Sequence, residues 1–104
     1  MSFRRRGNTT TGGSFDAATV QAVWEKGRVA PGRDPKSWRR DSCGALIYRF
    51  SYGDTDSQNG WEIDHILPVS KGGSDGLNNL QPLQWQNNRH KGDDSPNWAC
   101  LIRA

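Results

Sequence analysis

The chain has 104 residues, of which 33% are hydrophobic, with a net charge of +3 and an isoelectric point near 9.2. That length allows one domain with a small core, and five tryptophans supply apolar area that few other residues provide. No apolar run of about 18 residues exists, so no transmembrane helix is expected; Arg4-Arg5-Arg6 has no apolar run behind it, so no secretory signal is expected either.

The charge is unevenly spread. Residues 1–50 carry ten Lys/Arg against four Asp/Glu, a balance of +6, and residues 51–104 carry four against seven, a balance of −3. Bases gather upstream and acids downstream. That split suits a polyanion held by one half and acted on by the other. An ordinary solvated surface accounts for it equally well. Two cysteines, Cys43 and Cys100, make neither a disulfide framework nor a CxxC pair, so a cytoplasmic, reduced protein is the expectation.

Residues 1–14 are basic, then polar and rich in Gly and Thr, and read as a disordered arm. Its Arg4, Arg5 and Arg6 suit phosphates or simply solvent. Residues 15–27 predict a helix capped by Ser14 or Asp16 and followed by Gly27. Ala17, Val20, Val23 and Trp24 fall on one face of it, read as core. Residues 28–41 predict a basic loop with Pro31, Gly32 and Pro35. Its Arg28, Arg33, Lys36, Arg39 and Arg40, interleaved with Trp38, suit a nucleic-acid backbone. Residues 43–53 alternate as a strand, and Trp61 to Ile66 predicts a partner that pairs back on it as an antiparallel hairpin across the polar turn 53–60. Residues 79–84 predict a further short strand, at an edge because Pro82 lacks a donor. Residues 84–91 predict a short helix stopped by Gly92, and the tail 95–104 is expected to pack back on the core.

The chemistry gathers between Trp61 and Asp93. A carboxylate, Asp64, stands next to an imidazole, His65, and carboxamides follow at Asn78, Asn79, Asn87 and Asn88. Carboxylate and carboxamide oxygens suit a hard cation such as Mg²⁺. An imidazole, with an ordinary pKa of about 6.5, suits a general base. In a regular strand the side chains of Asp64 and His65 point to opposite faces. Both can address one phosphate only where the strand ends or bulges, and Pro68 fits an ending nearby.

Asp64-His65, then Asn79-Leu80 fourteen residues after His65, then Asn88-x-x-Lys91 nine residues after Asn79, resembles the HNH endonucleases. The resemblance implies an α+β fold, a small ββα-metal (HNH) finger with an added N-terminal helix and antiparallel hairpin. It implies one HNH nuclease domain over residues 15–104 behind the arm at 1–14. The activity implied is metal-dependent hydrolysis of DNA phosphodiesters, by nicking or double-strand cleavage with limited sequence preference. His65 would be the general base and Asp64 and Asn88 the ligands of one divalent cation, Mg²⁺ or Mn²⁺. Asn79 would brace the loop that presents the histidine. Arg89 and Lys91 on the helix join the upstream bases as candidate nucleic-acid contacts, while His90, about 200° around from Asn88, points elsewhere. A ribonuclease or toxin domain of the same fold and a non-cleaving nucleic-acid-binding module are the alternatives. Many HNH domains hold a structural zinc on two CxxC pairs. Here the second pair's slots are Gln84 and Asn87 and the first keeps only Cys43, so no structural zinc is expected.

Overall fold

A computed structural model describes residues 7–94 and 97–104. Arg4, Arg5 and Arg6 lie outside the described residues. The elements in order are α1 (Ala17–Trp24), β1 (Arg28–Val29), β2 (Trp38–Arg40), β3 (Leu46–Tyr48), β4 (Trp61–His65), β5 (Leu80–Gln84) and α2 (Trp85–Lys91). Three 3₁₀ turns join them, at Arg49–Ser51, Val69–Lys71 and Leu77–Asn79.

The first helix starts where Asp16 accepts a hydrogen bond from the Thr19 amide at 2.8 Å. Its Val20, Val23 and Trp24 are buried, whereas Ala17 is exposed. These three meet Ile47, Trp61, Ile63 and Leu80 in one core cluster. Trp24 and Trp61 stand 5.3 Å apart between ring centroids. Each indole N–H finds a carbonyl, Pro35 O at 3.1 Å and Arg49 O at 3.3 Å, so neither ring is buried with an unpaired donor.

Residues 28–41, expected as a loop, contain two strands. β1, β2 and β3 form a three-stranded antiparallel sheet with Arg28 opposite Arg40, Arg39 opposite Ile47 and Trp38 opposite Tyr48. The expected hairpin between 43–53 and Trp61–Ile66 does not form. The strand after Cys43 is only three residues long, because the chain winds into a 3₁₀ turn at Arg49, and Tyr52 makes a single parallel bridge to Trp61. β4 pairs along its full length with β5 instead, from Trp61–Gln84 to His65–Leu80, as a separate two-stranded sheet. Pro82 therefore sits on an edge strand, as its missing N–H requires. α2 follows β5 directly and touches both β4 and β5. Gln84 caps it by accepting from the Gln86 and Asn87 amides, and Gly92 closes it at a φ of 55°.

The expectation of reduced cysteines is overturned: Cys43 and Cys100 form a disulfide. Their separation of 57 residues concealed that the Asp41–Ala45 turn and the tail are neighbours, with Cα atoms 5.7 Å apart. Buried Asp41 organises the corner. One of its oxygens accepts from the Cys43 and Ala45 amides, the other from the Gln84 amide and the Asn87 carboxamide, all at 2.9–3.0 Å. Asn87 Oδ1 in turn accepts from the Leu101 and Ile102 amides. The positions compared with zinc slots, Gln84 and Asn87, are thus held by hydrogen bonds around a carboxylate.

Candidate active site

β4 ends at His65. Beyond it the Ile66 amide still reaches Asn79 O at 2.8 Å, and then the chain leaves the sheet. The Asn79 carboxamide holds the departing loop. Its Oδ1 accepts from the Leu67 amide at 2.8 Å, and its Nδ2 donates to Leu67 O and Ser74 O at 3.1 and 2.9 Å. The loop closes so tightly that a Cβ on Gly73 would lie 1.7 Å from Leu67 O, which only glycine allows.

The strand ending answers the problem of facing. Asp64 and His65 have different partners, yet both line one cleft of about 10 Å³ together with Asn88, Ile63, Pro68 and Gly92. That volume is of the order of one water. Asn88, 24 positions after Asp64, comes to the same cleft from α2.

His65 is buried. Its Nε2 lies 2.8 Å from Asp75 Oδ1, and the Phe15 ring packs 6.0 Å away. Asp75 also accepts from the Thr10 amide and hydroxyl, so the segment before α1 reaches across to the loop after β4. This applies to the second half of the expected arm, where Gly12 and Gly13 complete a turn on Thr9. Burial pushes the Asp75 carboxyl up, but the hydrogen bonds from His65 and Thr10 outweigh it and hold the group below its ordinary value.

Asp64 is buried against Gln81, whose Nε2 donates at 2.9 Å, and Lys91, whose Nζ lies 3.2 Å from Oδ1. Desolvation pushes its carboxyl above the ordinary value, against the opposing pull of the Gln81 and Lys91 contacts. Lys91, expected to reach a phosphate, turns inward: it is 2% exposed and also donates to His65 O at 3.0 Å. It ties the end of α2 to the end of β4. Asn88 donates from Nδ2 to Glu62 Oε1 at 2.9 Å, and Arg89 Nη2 bonds the other Glu62 oxygen at 3.0 Å. With Nδ2 committed, the Asn88 carbonyl oxygen is the atom left for a ligand in the cleft.

Among the described residues, no three His, Cys, Asp or Glu side chains gather as a metal cluster. The cleft offers one carboxylate and one carboxamide oxygen. That set fits a hard divalent cation that retains waters and takes further oxygens from a substrate, and the desolvated Asp64 carboxyl favours a cation beside it.

The upstream bases separate into distinct roles. Arg28, Arg40 and Lys26 line a groove of about 380 Å³ with Ile66, Gln81 and Pro82. It therefore touches both the residue after His65 and the partner of Asp64. Arg39 is half-buried and its donors are committed to the backbone: it donates to the carbonyls of Pro35, Glu25 and Gly27 and closes the end of α1. Arg33 lies over the Trp38 ring at 4.8 Å, and Lys36 is exposed. Arg89 is half exposed beside Trp85.

Residues 52–97 match the family model described as HNH endonuclease, so this segment is similar to that family. That match suggests nuclease activity and implies a nucleic-acid substrate. Comparison with curated proteins and comparison with solved structures each gave no match. Among the described residues, no helix is long and apolar enough to cross a membrane.

Three residues of the site escaped the reading of the sequence. Glu62 lies two positions before Asp64, and this spacing on a strand was the available signal. Asp75 sits among Gly and Ser in a loop, where nothing in the pattern distinguishes it. Gln81 faces Asp64 only through the β4–β5 register.

Proposed function

We propose that this chain is a metal-dependent DNA endonuclease that hydrolyses phosphodiesters with His65 as general base and one divalent cation, Mg²⁺ or Mn²⁺, held by Asp64 and Asn88. The observation that carries this reading is the convergence of Asp64, His65 and Asn88 on one cleft.

The tautomer follows from Asp75. An ionised carboxylate only accepts hydrogen bonds, so His65 Nε2 must carry the proton in that 2.8 Å contact. The neutral ring then keeps its lone pair on Nδ1, which takes the proton from water. Asp75 fixes the ring's orientation and stabilises the imidazolium that forms, as a carboxylate does in other His-dependent hydrolases. Asn79 keeps the loop closed so that this geometry exists before substrate arrives. Asp64 and Asn88 would hold a divalent cation, which would supply charge neutralisation at the reacting phosphate and help for the leaving 3′-oxygen. Glu62 and Gln81 hold the two ligand side chains in place, the usual role of residues behind a metal site. The groove of Lys26, Arg28 and Arg40 supports a phosphate backbone beside the cut.

The test is incubation of supercoiled plasmid, and separately of RNA, with Mg²⁺ or Mn²⁺, with and without excess chelator. Relaxed or linear plasmid that disappears in chelator supports the reading, and the two products separate nicks from double-strand cuts. Cleavage of RNA alone would make the protein a ribonuclease. Binding without cleavage would make it a recognition module, and undiminished cutting in chelator would remove the metal.

A further inference from the structure

We infer that the outer face of the three-stranded sheet is a stacking platform for unpaired nucleotides, so that the preferred substrate carries single-stranded nucleic acid beside the cut. This rests on the nuclease reading above and names the form of its substrate.

Residues two apart on a strand share a face, as do residues opposite each other across an antiparallel pair. Arg28 opposes Arg40, and Trp38, two positions before Arg40, opposes Tyr48. These four side chains therefore occupy one face. The other face carries Ile47, which is fully buried in the core, so the face with Trp38 and Tyr48 is the outer one. On it the rings form a row. Trp38 and Tyr48 are 4.7 Å apart, and Tyr48 and Phe50 are 5.5 Å apart, edge to face. The Arg33 guanidinium stacks at the Trp38 end. Phe50 at the other end is 73% exposed, so core packing does not explain it.

Two further observations choose the occupant. No Asp or Glu occupies any position of β1, β2 or β3, and the rings are flanked by Arg28, Arg40 and Arg33, so the face is complementary to a polyanion. Arg28 and Arg40 also line the groove that touches Ile66, next to His65, and Gln81, which holds Asp64. The face thus adjoins a groove whose far wall, Ile66 and Gln81, neighbours His65 and Asp64. Arg40 and Trp38 lie two residues apart, about 6.6 Å along the strand. A nucleic-acid strand leaving the cut meets cations first and rings next. A duplex would keep its bases inside the stack and offer these rings only sugars and phosphates. Unpaired bases offer their π faces, and every base has one.

The experiment measures binding by fluorescence anisotropy in EDTA, so that nothing is cut. A labelled blunt duplex is compared with the same duplex carrying a single-stranded extension of either polarity. The extension should tighten binding, and Phe50→Ala and Tyr48→Ala should each cut the extension-to-blunt affinity ratio at least about fivefold, the low end for one base stacked on one ring. Phe50→Trp should keep the ratio. Because Phe50 is so exposed, its alanine variant should melt like the parent, which separates lost stacking from lost folding. An extension that adds nothing to a duplex that is bound and, with metal, cut would overturn this inference alone. So would an unchanged ratio in Phe50→Ala. Failure to bind or cut either DNA would remove the nuclease reading along with it.

Discussion

Replacing Glu62 by alanine should damage metal use without touching a proposed metal ligand. Glu62 is buried, and its Oε1 receives the Asn88 carboxamide at 2.9 Å. A hydrogen bond to a charged group contributes about 1.5–3 kcal/mol, and its loss leaves a buried donor unpaired. The second Glu62 contact, to half-exposed Arg89, contributes at most about 1 kcal/mol. The larger consequence is for orientation. Without Glu62 the Asn88 amide can rotate and present its N–H₂ to the cleft in place of its oxygen. Losing a partner of this kind behind a metal site typically costs 10–100-fold in affinity or activity. Cleavage rate against Mg²⁺ concentration should therefore shift its midpoint upward by about 10–100-fold in Glu62→Ala, with much of the rate recovered at high metal. Glu62→Gln keeps a carbonyl for Asn88 and should stay within a few-fold of the parent. In an Asn88→Ala background, Glu62→Ala should add little, because the two residues act as one unit. A wild-type metal curve for Glu62→Ala, or an equal penalty with and without Asn88, would refute the orienting role.

Other outcomes follow from the same geometry. His65→Ala should lower cleavage by ~10² to 10⁴ while DNA binding in chelator is retained, and a normally cutting variant would mean that another group activates the water. Asp75 has its folded pKa below the ordinary 3.8, so its stabilisation is present above that value and is lost as pH falls through the folded value. Asp75→Asn should thus lower the melting temperature at neutral pH and match the parent in strong acid, and an equal deficit at both would argue against the linkage. Reducing the disulfide, or replacing Cys43 and Cys100 by serine, should cost about 4 kcal/mol for a loop of 57 residues. Urea titration with and without reductant checks it, and coincident curves would count against the bond. Arg28→Ala with Arg40→Ala should reduce the slope of log affinity against log salt by about two, one per phosphate contact. An unchanged slope would move the backbone off this groove.

The parts of the molecule that were legible in the sequence are those governed by local rules. Asp16 and Gly27 bracket α1, Pro82 falls on an edge strand, and Gly92 ends α2, each for a reason carried by the residue itself. The order and spacing of Asp64, His65, Asn79 and Asn88 can be read directly along the chain, and Asp64, His65 and Asn88 line one cleft. What was hidden depends on contacts distant in sequence. The alternation of 43–53 looked like a long strand, but a 3₁₀ turn at Arg49 stops it, and its pairing goes to Trp38–Arg40 instead of Trp61–Ile66. Trp38-Arg39-Arg40 is too short and too polar to announce a strand. Lys91 carries a charge that predicts solvent, and only the arrival of Asp64 and His65 O draws it inside. Five upstream bases looked equivalent, whereas Arg39 spends its donors on three backbone carbonyls.

The link between Cys43 and Cys100 also encloses the segment similar to HNH endonucleases in a covalent ring. Glu62, Asp64, His65, Asp75, Asn79 and Asn88 all lie inside it. A protease that cuts one peptide bond within the ring, for example in the exposed turn at Gly53–Asp54 or at Asp93–Asp94, opens the ring but frees no fragment. Both new ends stay joined through sulfur, and the nicked molecule migrates as one species until a thiol is added. The sheet pairing of β4 with β5 and the docking of α2 can then hold the cleft together across the break. Retained cutting by nicked protein, and its loss on reduction, are what this connectivity entails.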